Sequence, residues 1–247
     1  MRLNVHEWGD RDAPPVVCLH GLTGWGGRFR RLAQERLAGR RVVAPDLRGH
    51  GRSGWEPPWD VETHVADLLE TADTLGIEAA AWVGHSFGGR LVAELAARAP
   101  ERVQKAVLLD PALHIDPAIA LERAELARAD TSFGSPDEAI ETRLADGTLF
   151  ATPRSTLEEE VAGHLERGED GRWRWRVCAP MAIVAWSEMA AAAPPWPACP
   201  TLVVVGARSW IPVEVPAGGV ELVTVPGGHS VLWDDFDATA QAIAAFV

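Results

Sequence analysis

Five short apolar runs punctuate this chain: Val16 to Leu19, Arg41 to Ala44, Ala79 to Val83, Ala106 to Leu109 and Thr201 to Val205. A strand with one face in water alternates apolar and polar residues. These runs do not alternate, so each reads as a strand covered on both faces, as in a parallel sheet. Two further strands are expected at Leu3 to Trp8, where Leu3, Val5 and Glu7 face away from Asn4 and His6, and at Val220 to Val225. Asp10 to Pro14 reads as the turn between the first two strands.

Helical patterns lie between the runs. Asp60 is placed to cap a helix to about Leu75, with Val61, Val65, Leu68, Leu69 and Leu75 along one side. Ser86 to Ala99 reads as a helix stopped by Pro100, and Asp235 to Val247 as the last helix. Strand and helix in alternation predict an α/β fold with a mostly parallel, doubly wound sheet. The length of 247 residues suits one such domain with an insertion. Residues 112–199 break the alternation. They show helical patterns at Pro117–Ala129, Pro136–Asp146 (capped by Ser135), Thr156–Arg167 and Pro180–Ala193, and no convincing strand. Within them Arg172 to Arg176 alternates Arg with Trp, which reads as an extended segment with Trp on one face and Arg in water. The domain organisation expected is therefore a core of 1–111 and 200–247, with a helical insertion at 112–199 ahead of the last two strands.

Composition removes several classes of function. The net charge is −12, against the basic surface that nucleic acid requires. No stretch reaches the roughly 18–20 apolar residues of a membrane span, and the first ten residues carry no apolar run of the signal-peptide kind. A soluble, cytoplasmic protein is expected, with no nucleic-acid or membrane partner. The three cysteines are scattered, with no pairing or cluster suited to zinc. No metal or organic cofactor is implied. Oligomeric state is left open by these residues.

The chemistry centres on Val83-Gly84-His85-Ser86-Phe87-Gly88-Gly89. A buried strand that turns sharply into a helix can present a serine hydroxyl at the strand's carboxyl end. The turn is so tight that side chains two residues before and after would collide, and Gly84 and Gly88 occupy those places. The helix start then aims its positive end at the hydroxyl, and the Phe87 N–H is free for a developing oxyanion. Serine needs a base to act as a nucleophile. His229, in Pro226-Gly227-Gly228-His229 after the last strand, falls at the same sheet edge.

With these stretches in view, the chain resembles the α/β-hydrolase superfamily over nearly its full length. The resemblance rests on His20-Gly21, on Asp46-Leu47-Arg48-Gly49-His50-Gly51-Arg52-Ser53, on the turn around Ser86, and on Gly227-Gly228-His229. It implies a cap or lid at 112–199 and a second oxyanion donor in the N–H of Leu22. It also implies structural roles for His20, His50 and His85 and loop-fixing roles for Arg48 and Ser53. Relatives that hydrolyse epoxides or haloalkanes carry Asp where Ser86 stands, which speaks against both reactions. In most relatives the acid that orients the histidine follows the sixth strand as Gly-x-x-Asp. Here that stretch reads Gly206-Ala207-Arg208-Ser209, and a serine stands at the acid's place. The short, Pro- and Gly-rich linker beyond it predicts that the usual helix before the last strand is missing. Either the enzyme works as a weakened Ser–His dyad or the acid comes from elsewhere; Asp110, at the end of the fifth strand from which some relatives take their acid, is the expected substitute, ahead of Glu214.

The expectation is a serine hydrolase with Ser86, His229 and Asp110 as triad and Leu22 and Phe87 as oxyanion donors. Its partner would be a small-molecule substrate, a small and fairly apolar carboxylic ester. Trp25, Leu113, Trp186 and Leu232, with Leu22 and Phe87, are expected in the pocket because they stand near these motifs. The same triad serves C–C bond hydrolysis and acyl transfer, and the same scaffold also carries ligand-binding or signalling proteins with little turnover. The residues leave these alternatives open.

Overall fold

The computed structural model describes residues 1–129 and 131–247. Seven strands form one sheet: β1 (Val5–Trp8), β2 (Pro15–Leu19), β3 (Arg41–Pro45), β4 (Ala80–His85), β5 (Val103–Leu109), β8 (Thr201–Gly206) and β9 (Val220–Val225). Their spatial order is β1-β3-β2-β4-β5-β8-β9, and every pairing is parallel except β1 with β3. The apolar runs divide residue by residue between two cores. Val17, Leu19, Trp82, Leu108 and Val203 enter the core under α2 (Val61–Thr74) and α3 (Phe87–Arg98). Their neighbours Val16, Cys18, Val83, Leu109 and Val204 enter the core under α1 (Arg30–Glu35) and α9 (Phe236–Phe246). This two-sided burial is why these runs tolerate no polar alternation.

Asp60 caps α2 by accepting the Thr63 N–H at 2.7 Å, and Ser135 caps α5 (Pro136–Ala145) through the Glu138 N–H at 3.1 Å. No helix occupies 207–219, between β8 and β9, as the short linker predicts. A single extra turn, α8 (Val231–Asp234), precedes α9.

The segment between β5 and β8 differs from expectation in one respect. It holds helices α4 (Pro117–Ala127), α5, α6 (Arg154–His164) and α7 (Ala179–Ala190), and also a small antiparallel hairpin of β6 (Leu165–Arg167) and β7 (Trp173–Trp175). The helix expected to reach Arg167 therefore stops at His164. The Trp–Arg alternation is a strand, with Trp173 and Trp175 packed on a separate small core of Phe133, Ile140, Leu157, Val161 and Leu165. Met181, Ala185 and Met189 of α7 join the main core instead. No helix among the described residues is long and apolar enough to cross a membrane.

Candidate active site

The four adjacent strands β4, β5, β8 and β9 each end beside the next, and each end delivers one polar side chain: Ser86, Asp110, Ser209 and His229. Ser86 has φ 54° and ψ −116°, a backbone state that non-glycine residues adopt at a cost of about 1–3 kcal/mol. It is held there by the Ser86 N–H bond to the Leu109 carbonyl at 2.9 Å and by the Ala112 N–H on its own carbonyl at 3.1 Å. A Cβ on Gly84 would fall 2.3 Å from the Gly88 carbonyl oxygen, so the turn closes only with glycine there. A Cβ on Gly21 would touch the Ser86 Cβ at 3.1 Å, which brings the His20–Leu22 loop alongside the serine. Among the described residues, neither the Leu22 nor the Phe87 backbone N–H is taken up by another group.

Asp110 is fully buried and also left-handed, with φ 42°. Its carboxylate collects three donors. The Gly206 N–H reaches Oδ1 at 3.0 Å, while the Ser209 hydroxyl and His229 Nδ1, the latter at 2.6 Å, reach Oδ2. A carboxylate only accepts, so Nδ1 of His229 donates, and the neutral form of the ring has its lone pair on Nε2. The serine at the position where an acid is usual thus serves the acid that comes from β5, and its own Oγ is fixed by the Ile211 N–H at 3.1 Å.

The remaining histidines of the motifs hold loops. His85 donates from Nε2 to the His229 carbonyl at 2.8 Å, and burial together with the nearby His229 pushes its pKa well below the usual range. His20 accepts the Leu47 N–H at 3.0 Å, and burial keeps it neutral too. His50 donates to the Leu22 carbonyl at 2.5 Å. Arg48 grips Asp67 with both arms at 2.7 and 2.8 Å, and Ser53 donates to the Asp46 carbonyl at 2.6 Å. Burial would raise the Asp46 carboxyl, but His6 and the N–H groups of Arg52 and Gly26 outweigh it and hold the group well below the carboxylate range.

Ser86 and His229 open onto one cavity of about 320 Å³. Leu22 and Trp186 line it. Trp25, Leu113 and Leu232 do not, which corrects their assignment. Trp25 stacks on His164 with ring centroids 5.9 Å apart and donates to Glu160 at 2.8 Å. Leu113 receives Arg90 on its carbonyl, and Leu232 faces a separate small hollow with Phe29. The Phe87 side chain is wholly buried in the core, so only its backbone faces the serine. Chain proximity to a motif does not decide which way a side chain points. Sequence reasoning missed Trp175, Trp210 and Trp233 on the wall and three arginines, Arg28, Arg123 and Arg143. The nearest signal was the tryptophan count of eleven.

A hydroxyl on a strained turn and an imidazole bonded to a buried carboxylate open onto one cavity. A family model described as alpha/beta hydrolase fold matches residues 14–143. The chain is 36% identical over 188 residues to Lipase LipV of Mycobacterium tuberculosis, covering 76% of this chain and 71% of the relative. It is 29% identical over 236 residues to Esterase YbfF of Escherichia coli, covering 93% and 81%. Among solved structures, an alpha/beta hydrolase from Novosphingobium aromaticivorans superimposes with a TM-score of 0.81 at 28% identity, over 99% of this chain and 93% of that one. The chain belongs to the α/β-hydrolase family and is a hydrolytic enzyme of that fold.

Proposed function

We propose that the protein hydrolyses a small carboxylic ester through an acyl-enzyme. The observation that carries this reading is the 2.6 Å contact of His229 Nδ1 with a threefold-satisfied Asp110, beside a cavity shared with Ser86. Ser86 attacks the acyl carbon while His229 Nε2 takes its proton. Asp110 keeps the lone pair on Nε2 and stabilises the imidazolium that forms. The N–H groups of Leu22 and Phe87 receive the oxyanion, a role in which one donor is worth about 10²–10³ in kcat. His229 then returns the proton to the leaving alcohol, and water releases the acyl group by the same relay. Residues 112–199 act as a cap: their Trp175 and Trp186 form cavity wall, and Glu160 of α6 binds Arg28 of the core at 2.8 Å. The lipase and esterase among the relatives support ester bonds as the target. The Ser209 hydroxyl, standing where an acid is usual, donates to Asp110, which favours turnover over a reading as a slow or inert binding protein.

The test is a panel of p-nitrophenyl esters of rising acyl length, run on wild type and Ser86→Ala. Turnover should fall by about 10⁶ in the variant. A fluorophosphonate should label wild type at Ser86 stoichiometrically. Turnover that survives in Ser86→Ala defeats the serine mechanism.

A further inference from the structure

Three arginines open onto the cavity that holds Ser86 and His229. Two are engaged. Arg28 binds Glu160 through Nε at 2.8 Å and Nη2 at 2.5 Å. Arg143 binds Asp146 and the Thr148 hydroxyl. Arg123, on the second turn of α4, is not engaged. Among the described residues it makes no hydrogen bond and no ion pair, and its Nε is buried without a partner. Its guanidinium carbon lies 5.5 Å from the Trp210 ring centroid, and that ring lies 5.9 Å from the His229 imidazole. One uncompensated cation therefore stands a single tryptophan away from the proposed base. The two acids facing the cavity, Asp146 and Glu160, are already bound to the other arginines.

Packing against Trp210 alone explains the cation's resting place. It leaves the Nε N–H buried without an acceptor, where buried donors in folded proteins nearly always find one, and the rest of the guanidinium without a hydrogen-bond partner among the described residues at the cavity wall. A planar guanidinium with free N–H groups matches a carboxylate in two-point contact. We infer that the substrate carries a carboxylate, remote from the scissile ester, which Arg123 binds across the Trp210 wall. This rests on the ester-hydrolase reading and narrows it. The tryptophan walls hold the short chain between the two ends, the cavity of about 320 Å³ limits its length, and Arg123 favours half-esters of short dicarboxylic acids over neutral esters of the same length.

Matched pairs test this: the monomethyl esters of glutarate and adipate against methyl esters of the same chains ending in a carboxamide, followed by acid release in a pH-stat. Wild type should prefer the carboxylate member by about 10–100-fold in kcat/KM, mostly through KM. In Arg123→Gln the preference should collapse to near one. In Arg123→Lys, which keeps the charge and loses the fork, part of it should remain. Equal rates for the two series in wild type would overturn the inference. So would a preference that survives in Arg123→Gln with an unchanged melting temperature. Either result, with Ser86-dependent turnover of the carboxamide esters, leaves the hydrolase reading standing. Absence of Ser86-dependent turnover in both series brings down that reading and this inference together.

Discussion

Replacing Asp110 by Asn probes the proposed proton relay at its least usual member. The side chain has two faces. Oδ1 meets the Gly206 N–H, a donor fixed in the backbone, and Oδ2 meets the Ser209 hydroxyl and His229 Nδ1. An amide turned with its NH₂ toward Gly206 would set donor against donor. The favoured orientation keeps the oxygen there and points NH₂ at the other two. The Ser209 hydroxyl rotates to accept, and His229 accepts only by giving up the Nδ1 proton. The ring then carries hydrogen on Nε2, the nitrogen that must take the proton of Ser86. A loss of about 10⁴ in kcat is expected, as for a triad acid made neutral, which is about 5.5 kcal/mol of transition-state stabilisation. The assay is kcat on p-nitrophenyl butyrate, with circular dichroism to establish the fold. Because Ser209 already touches the oxygen shared with His229, Ser209→Asp in the Asp110→Asn background should recover part of the loss. Turnover near the wild-type level in folded Asp110→Asn would refute the role assigned to the carboxylate.

Ser209→Ala removes one neutral donor to a buried charge, worth about 1–2 kcal/mol, so kcat should drop several-fold with KM steady; an unchanged kcat would detach the hydroxyl from the relay. Gly84→Ala forces a methyl against the Gly88 carbonyl, 2.3 Å away, and should cost at least about 1–3 kcal/mol in denaturant titration, with weaker Ser86 labelling. Asp234 gathers the N–H groups of Gly228, Phe150 and Ala151 and the Thr152 hydroxyl. Burial would raise its carboxyl, but these donors outweigh that and hold it below the usual range. A depressed folded pKa contributes stability above the unfolded value and loses it as pH falls through the folded one. Asp234→Asn should therefore melt earlier at pH 7, and its melting temperature should change less than wild type's between pH 5 and 3; parallel curves would count against this.

The five inner strands were legible because they are buried on both sides, so each run declares itself without reference to the rest of the chain. Ser86 and His229 were legible because a tight turn demands glycine at fixed spacing and the loop after β9 ends at the same edge. Asp110 could be singled out because Ser209 carries no charge and β5 lies next to β8. What could not be read was the service Ser209 performs, since a serine in an acid's place looks like a loss until its hydroxyl is seen on Asp110. The β6–β7 hairpin was hidden because three residues are too few to show a period of two, and Leu165 to Arg167 continue the pattern of the helix before them. The cavity wall was hidden for another reason. Arg123, Trp175 and Trp210 meet only after α4, β7 and the loop beyond β8 have packed, and no local pattern records that meeting.

Supplying the carboxylate from β5 has an evolutionary corollary. The proposed alcohol and acid both precede residue 112, so the helices and hairpin between β5 and β8 supply neither, and among the described residues only the Ala112 N–H on the Ser86 carbonyl ties their start to the serine turn by a backbone hydrogen bond. The stretch from Ala207 to Gly219 keeps one anchoring hydroxyl, that of Ser209, and one piece of cavity wall, Trp210. Such a scaffold can acquire a new roof, and with it a new diet, while the proposed proton path beneath keeps its residues.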